Sequence, residues 1–170
     1  MNRALHKRHK TIIVNHSTII SNQRLNMERI KIKLPETFNF STSIKIRITD
    51  LNYGGHVGND SFLSLVHEAR LQFLQSNGFS EMDIMGAGLI MADASIEFKK
   101  EILYGDTVKI SVAATNFDRI GFDIFYWLEV VKDDVSITVG KAKTGMMCFN
   151  YATKIKTAIP TEAIKKLQSI

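Results

Sequence analysis

A glycine-rich stretch between Asp50 and Asp60 carries the residue types best suited to chemistry. It holds three glycines, a histidine, two aspartates and two asparagines, between a strand-like run and a helix-like run. Glycine lets a backbone approach a ligand closely, and a helix that starts directly afterwards offers unpaired N–H groups and the positive end of its dipole. Such a loop can bind a polarised oxygen. The same composition also suits an ordinary strand-to-helix connection, so both interpretations stay open here.

The segments on either side must position this loop. Thr42–Thr49 alternates, with Ile44, Ile46 and Ile48 on one face, which predicts a half-buried strand. From Asp60 to Gln75 the apolar residues recur at helical spacing, which predicts a long helix. We expect Asn59 or Asp60 to cap its start and the pair Asn77-Gly78 to end it.

Four further strands are predicted downstream of this helix by alternating or β-branched runs. They are Ile90–Phe98, Thr107–Ala113, Gly121–Val131 and Val135–Phe149, the last with a bulge at Gly140 or Gly145. A short helix is expected at Thr161–Leu167, and a second one is allowed between positions 79 and 88. One long helix buries its apolar face most economically when a curved sheet wraps around it. The predicted fold is α+β, one long central helix wrapped by an antiparallel sheet, with the last four strands forming a meander.

Composition indicates a single domain and few special requirements. The length of 170 residues suits one fold. Cys148 is the only cysteine, and no Cys/His cluster has metal-ligand spacing, so we expect no disulfide, no metal and a reducing, cytoplasmic location.

The net charge of +5 is concentrated at the start of the chain. Residues 1–26 hold five of the 22 basic residues and no acidic one, which leaves 17 of each sign beyond them. We expect 1–26 to be a basic, disordered extension and 27–170 to be the domain. The extension lacks aromatic residues for stacking, and its Thr11–Ile20 run is shorter than the ~20 apolar residues of a membrane span. We therefore expect neither nucleic acid nor a membrane as a partner.

The loop and the helix together resemble the signature of a known family. Asp50–Asn59, followed by Phe62-Leu63 and His67–Arg70, resembles that of the hot-dog-fold acyl-CoA thioesterases of the 4-hydroxybenzoyl-CoA thioesterase type. Further matches are Ala94–Phe98 with Gly105-Asp106, and Ile159-Pro160. The resemblance covers positions 44 to 167, in the family's order.

This resemblance implies a hot-dog domain that pairs into homodimers by sheet extension, and often into homotetramers. The substrate is an acyl thioester of coenzyme A or of acyl carrier protein, and the family needs no cofactor. Negative charge that develops on the thioester oxygen is stabilised by amides at the start of the helix, and the candidates are those around Gly58 and Asn59. A carboxylate must also attack the carbonyl or activate water.

The sequence departs from the family at the catalytic acid. The position of the aspartate used by many members is Asn52, whose amide cannot accept a proton. Asp50 and Glu68 match other acids of the signature, and Asp60 lies nearby at the expected helix cap. The catalytic candidates are therefore Asp50, Asn52, His56, Asn59 and Glu68. For each of them a structural role remains an alternative: bracing the loop for Asp50 and His56, and a solvated helix face for Glu68.

Further residues are candidates for substrate binding. The resemblance places Tyr53, Gly55 and Gly58 at the thioester. Lys99 and Lys100 could meet the phosphates of coenzyme A as point charges, although such a pair is also typical of an exposed strand end. Five methionines, whose side chains adapt to irregular apolar shapes, are candidates either for an acyl pocket or for the core: Met82, Met85, Met91, Met146 and Met147.

Two classes of function follow. The first is a thioesterase that works through the loop, the helix amides and a displaced carboxylate. The second is a non-catalytic acyl-thioester-binding protein in which Asn52 has replaced the catalytic acid.

Overall fold

The structure is a computed structural model that describes residues 28–169; the predicted extension, residues 1–26, lies outside this range. Two helices and six strands follow one another along the chain. They are β1 (Phe40–Lys45), α1 (Asn59–Ser76), β2 (Gly88–Phe98), β3 (Thr107–Thr115), β4 (Gly121–Lys132), β5 (Val135–Asn150), β6 (Ile155–Lys156) and α2 (Thr161–Gln168). The α+β prediction is confirmed, with one long helix and one antiparallel sheet.

The strands are ordered β1-β3-β4-β5-β2, and the short β6 pairs with β5. The predicted meander is therefore right for β3, β4 and β5 but wrong for β2, which pairs with β5 instead of β3. The chain leaves β1 at one edge of the sheet and, after α1, returns as β2 at the opposite edge. This crossing leaves both β1 and β2 as edge strands.

The core lies between α1 and one face of the sheet. The helix buries the apolar residues Phe62, Leu65, Val66, Ala69, Phe73 and Leu74, as its spacing predicts. The facing strands supply alternate residues, among them Ile110, Ile124 and Leu128, which are fully buried. Cys148 belongs to this core and has no exposed surface, and burial raises the pKa of its thiol to about 11.

The other face of the sheet is covered in part by the segment that precedes β1. The Ile32 amide donates to Glu97 Oε2 at 3.0 Å, and its side chain is buried. Phe38 packs against Trp127 with ring centroids 6.0 Å apart. Within residues 28–169, no helix is long and apolar enough to cross a membrane.

Two local predictions need correction. The first strand ends at Lys45 and gives way to a 3-10 turn at Ile48–Asp50, so Ile48 is exposed instead of half-buried. No helix forms between positions 79 and 88; two tight turns, Ser80–Asp83 and Ile84–Ala87, fill this range. The bulge predicted at Gly140 or Gly145 is confirmed, because a register shift beside Gly140 leaves Val139 of β5 unpaired with β4.

The remaining boundaries agree with the sequence. Asn77 ends α1 and Gly78 follows with a positive φ of 76°, as expected for a helix stop. Asp133 and Asp134 turn the β4–β5 hairpin with left-handed φ values of 51° and 61°.

Candidate active site

The loop between β1 and α1 is fixed from both sides. The Asn52 amide donates to the His56 carbonyl at 2.9 Å, and the Gly55 amide donates to the Asn52 carbonyl at 3.1 Å, which closes a tight turn. Gly55 lies in this turn with φ of 77°. The Val57 amide donates to the Ile102 carbonyl at 2.9 Å, so the loop is also tied to the segment after β2. The loop therefore holds a defined position at the start of the helix.

The start of α1 carries backbone donors that no residue of the described chain satisfies. Gly58 is the N-cap, and no side chain caps the helix, so the prediction of Asn59 or Asp60 as the cap is wrong. The Gly58 amide donates to the Asp50 carbonyl at 3.1 Å, which removes it from the predicted pair of oxyanion donors. The amides of Asn59, Asp60 and Ser61 have no hydrogen-bond partner within residues 28–169. The Asn59 amide therefore stays a candidate oxyanion donor, and the Asp60 and Ser61 amides are further candidates that the sequence did not single out.

The Asp50 side chain forms its hydrogen bonds with Arg47, three residues earlier in the chain. Its Oδ2 accepts the Arg47 amide at 2.8 Å, and its Oδ1 accepts Arg47 Nη2 at 3.2 Å. Burial alone would raise the pKa of this carboxyl, but the hydrogen bonds from Arg47 outweigh it and hold the pKa below its ordinary value. Asp50 is therefore a buried, paired anion that fixes the 3-10 turn.

Asn52 and His56 meet above Gly54. Asn52 Oδ1 accepts the Gly54 amide at 2.8 Å. A Cβ built on Gly54 would lie 2.9 Å from His56 Nε2 and 3.1 Å from Asn52 Oδ1. The His56 imidazole thus packs against the Gly54 backbone, next to the Asn52 side-chain amide. Its Nδ1 lies 3.2 Å from the Val57 carbonyl oxygen.

The Asp60 side chain packs against Gly58, as His56 and Asn52 do against Gly54. A Cβ built on Gly58 would lie 2.5 Å from Asp60 Oδ1 and 3.5 Å from Asn52 Cβ. The Asp60 carboxylate therefore occupies the space that a side chain at position 58 would fill, and Asn52 Cβ lies at van der Waals distance from that space.

Glu68 lies on another side of the helix. Its Oε1 accepts Gln72 Nε2 at 2.6 Å, and Gln72 is in turn bonded to Thr42 of β1. Its charge also raises the pKa of Arg47, after the larger effects of Asp50. Glu68 is exposed and directed towards the β1 edge, and the structure does not join it to the amides at the start of α1.

A cleft of about 310 Å³ opens on one side of the helix start. Its lining includes His56, Asn59, Phe62, Phe98, Lys99 and Lys100. Lys99 is paired with Glu97, whereas Lys100 has no ion pair within the described range 28–169. Tyr53 is fully exposed at the tip of the loop and does not line this cleft.

A groove of about 380 Å³ lies on the neighbouring side of α1, next to the β2 edge. It is lined by Asp60, Leu63, Ser64, His67, Arg70 and Met91. Of the five methionines considered, only Met91 lines either space; Met82 and Met85 are exposed and Met146 is buried in the core. The first turn of α1 separates this cleft, which is also lined by Glu101, from a groove with apolar walls.

A charged network behind this groove was not foreseen. Arg70 is buried and donates to Glu81 Oε1 at 2.6 Å, and His67 Nε2 lies 3.0 Å from Glu81 Oε2. Burial acts to raise the pKa of Glu81, but the bonds from His67 and Arg70 outweigh it and lower the pKa. The i, i+3 spacing of His67 and Arg70 was visible in the sequence, but nothing marked Glu81 as their partner.

A helix wrapped by an antiparallel sheet, with a glycine loop at the helix start, defines a protein of the hot-dog class. A model of the Thioesterase-like superfamily matches residues 46–167, and the chain belongs to this family of thioester hydrolases. The match spans α1 and every strand except β1.

One curated relative and two solved structures are similar to this chain. A 1,4-dihydroxy-2-naphthoyl-CoA hydrolase of Rippkaea orientalis is 26% identical over 130 residues, which cover 73% of this chain and 91% of that protein. A solved structure from Aquifex aeolicus is 26% identical with a TM-score of 0.66, over 76% of this chain and 99% of the other. A 4-hydroxybenzoyl-CoA thioesterase, solved as an Asp-to-Asn mutant with 4-hydroxybenzoyl-CoA, has a TM-score of 0.69 at 14% identity, over 76% of this chain and 98% of the other, and shows the shared fold.

Proposed function

We propose that this protein hydrolyses an acyl-CoA thioester to a free acid and a thiol. The observation that carries this proposal is the set of three amides, on Asn59, Asp60 and Ser61, left without a partner in the described chain at the start of a buried helix. Asn59 lines the cleft that holds Lys99 and Lys100, and Asp60 lines the apolar groove. A thioester carbonyl that binds there places its two arms into spaces of different character.

Hydrolysis of a thioester requires these amides to stabilise an oxyanion. Water adds to the carbonyl carbon, negative charge moves to the carbonyl oxygen, and the amides and the positive end of the helix dipole receive that charge. Loss of one such donor costs about 3 kcal/mol in other enzymes. The C–S bond then breaks, and the thiolate takes up the proton removed from water. Water is the only co-reactant that this chemistry uses.

The two spaces suit the two halves of the substrate. Lys100, unpaired within the described chain, and Lys99 line the cleft, where their charges would attract the phosphates of coenzyme A. Leu63 and Met91 give the groove apolar walls for the acyl group. Relatives named for 1,4-dihydroxy-2-naphthoyl-CoA and 4-hydroxybenzoyl-CoA support an aromatic acyl group as the first to test. An acyl carrier protein presents the same thioester and is the second carrier to test.

A binding role without catalysis is the alternative, and one observation favours it. Asn52 is not an acid, Asp50 is paired with Arg47, and Glu68 is bonded to Gln72. If no other carboxylate at the site takes a proton from water, the protein would bind an acyl thioester and leave it intact.

Release of free thiol decides between these two functions. The full chain is mixed with aromatic and aliphatic acyl-CoAs, and the same compounds are tested for a shift in melting temperature. Turnover of any of them supports the hydrolase. Stabilisation without release of thiol supports the binding protein, and the absence of both contradicts both functions.

The proposed assembly is a homodimer through β2. This strand is an edge of the sheet, and Met91–Ala94 is exposed along it beside the groove. An unpaired edge of this kind is a template for pairing with a second chain. We expect Met91→Lys to give monomers in sedimentation velocity, and Val131→Lys, an exposed apolar position on β4, to leave the dimer intact. A tetramer and a cytoplasmic location remain predictions.

A further inference from the structure

The Asp60 carboxylate lies close to position 52, where the carboxylate of the family signature is missing. The same point, a Cβ built on Gly58, is 2.5 Å from Asp60 Oδ1 and 3.5 Å from Asn52 Cβ, so these two atoms are within about 6 Å of each other. An aspartate at position 52 would extend its oxygens from that Cβ. The helix therefore brings a carboxylate to the same side of Gly58 from eight residues further along the chain.

The Asp60 carboxylate is also the one left free for chemistry. Asp50 is held by Arg47 and Glu68 by Gln72. Asp60 makes no side-chain hydrogen bond and no ion pair with any residue in 28–169, and it does not cap the helix. It is exposed and lines the groove.

Its position matches that of a base beside an oxyanion site. Asp60 belongs to the same helical turn as the three free amides, and its own amide is one of them. A carbonyl oxygen bound by these amides brings the carbonyl carbon, and a water attacking it, close to that turn. A general base works when it lies within hydrogen-bond reach of the proton it removes, directly or through one water.

We propose that Asp60 is the general base of thioester hydrolysis in this protein and takes over the role of the aspartate absent at position 52. This inference rests on the proposed hydrolase function. Asp60 removes one proton from water as the water oxygen bonds to the carbonyl carbon. As the tetrahedral intermediate collapses the C–S bond breaks, and Asp60 passes that proton to the leaving sulfur. The products are the carboxylic acid and the thiol, and Asp60 is again ionised.

The test compares Asp60→Asn with Asp133→Asn in the full-length chain. Both changes replace a carboxylate by an amide of the same size at an exposed position, and Asp133 lies in the β4–β5 turn. Asp60→Asn should lower kcat about 100-fold or more, the range of general-base catalysis. Its KM for the acyl-CoA should stay within about threefold, because binding does not need the base. Asp133→Asn should have wild-type kinetics.

A second change distinguishes a general base from a carboxylate whose charge only stabilises the helix. Adding Asn52→Asp to Asp60→Asn returns a carboxylate to the same side of Gly58, and it should raise kcat at least about tenfold over Asp60→Asn alone. In the wild-type background Asn52→Asp should not raise kcat, because it places two like charges close together. A merely supportive charge would give no such reversal.

The outcomes distinguish the role of Asp60 from the hydrolase function. Wild-type activity in Asp60→Asn, or a loss that Asn52→Asp does not repair, overturns the assignment of Asp60 while hydrolysis by the wild type still stands. If the wild type releases no thiol from any acyl-CoA, the proposed function itself fails.

Discussion

Asn52 and Asp60 lie on the same side of Gly58, with Asn52 Cβ and Asp60 Oδ1 each within 3.5 Å of the position that a Gly58 Cβ would occupy. One residue comes from the loop and the other from the second position of α1, so their meeting depends on the tight entry into the helix. The Asp60 carboxylate thus belongs to the helical turn whose first three N–H groups have no partner within residues 28–169.

Gly58→Ala should damage activity more than stability. The added methyl group would meet Asp60 Oδ1, the end of a short exposed side chain that can rotate away. The fold should therefore lose only about 1 kcal/mol, the cost of a minor backbone or rotamer adjustment. A carboxylate moved by about 1 Å can cost about 100-fold in kcat. Steady-state kinetics and thermal melting of the same sample check both parts, and unchanged kinetics would show that this carboxylate need not lie over Gly58.

Asp50→Asn should act on the loop through stability. The change weakens the bonds from the Arg47 guanidinium and leaves a buried group less well satisfied, at a cost of about 1–3 kcal/mol. Because the pKa of Asp50 is lowered in the fold, this difference should be present at neutral pH and disappear as acid protonates the carboxyl. Urea unfolding of Asp50→Asn, Arg47→Gln and the double variant measures the coupling. A fully stable Asp50→Asn with no turnover would instead make Asp50 the base.

Glu81→Gln should destabilise the fold, because it breaks the ion pair with Arg70 behind the groove. Arg70 would then be a buried cation without its counterion, which destabilises proteins by about 3 kcal/mol or more. The folded pKa of Glu81 lies below its ordinary value of 4.5, so its stabilising contribution is complete above that pH. It is lost as the pH falls through the lowered pKa, and the gap between wild type and variant should close. Unfolding free energies measured from pH 7 to pH 3 test this, and a gap that stays constant would contradict it.

Lys100→Ala should weaken binding of coenzyme A thioesters without slowing chemistry. The cleft residue Lys100 has no ion pair within the described residues, whereas Lys99 is already paired with Glu97. One exposed charge contact is worth about 0.2–1 kcal/mol, so KM should rise about 1.4- to fivefold with kcat unchanged. The effect should shrink in high salt, and Lys99→Ala should change KM less. Equal effects at both positions would contradict the role of the Lys99–Glu97 pair.

The order of the elements and the core face of α1 could be predicted because they depend on local periodicity. Phe62, Ala69 and Phe73 recur at helical spacing, and their burial follows from that spacing alone. The position of β2 could not be predicted in this way, since alternation says that a strand has a buried face but not which neighbour it pairs with. The left-handed turn at Asp133 and Asp134, in contrast, follows from side chains that tolerate this conformation.

The sequence indicated which region forms the candidate site, but not the hydrogen bonds within it or the position of the helix N-cap. The glycines marked where side chains approach the backbone, and the helix that follows them marked where free amides would be. The sequence did not show that the Gly58 amide bonds the Asp50 carbonyl, because that bond depends on how the 3-10 turn folds back. Asp60 was expected to cap the helix because aspartate is a common capping residue, yet the N-cap position falls on Gly58.

The buried Cys148 makes the proposed reaction easy to follow. It is the only thiol in the 170 residues, it has no exposed surface, and with a pKa of about 11 only about one molecule in a thousand carries a thiolate near pH 8. Because the thiolate is the reactive form, a colorimetric disulfide reagent should leave the folded protein unmodified. The colour that develops then counts coenzyme A released from substrate, and a slow rise without substrate reports unfolding of the core.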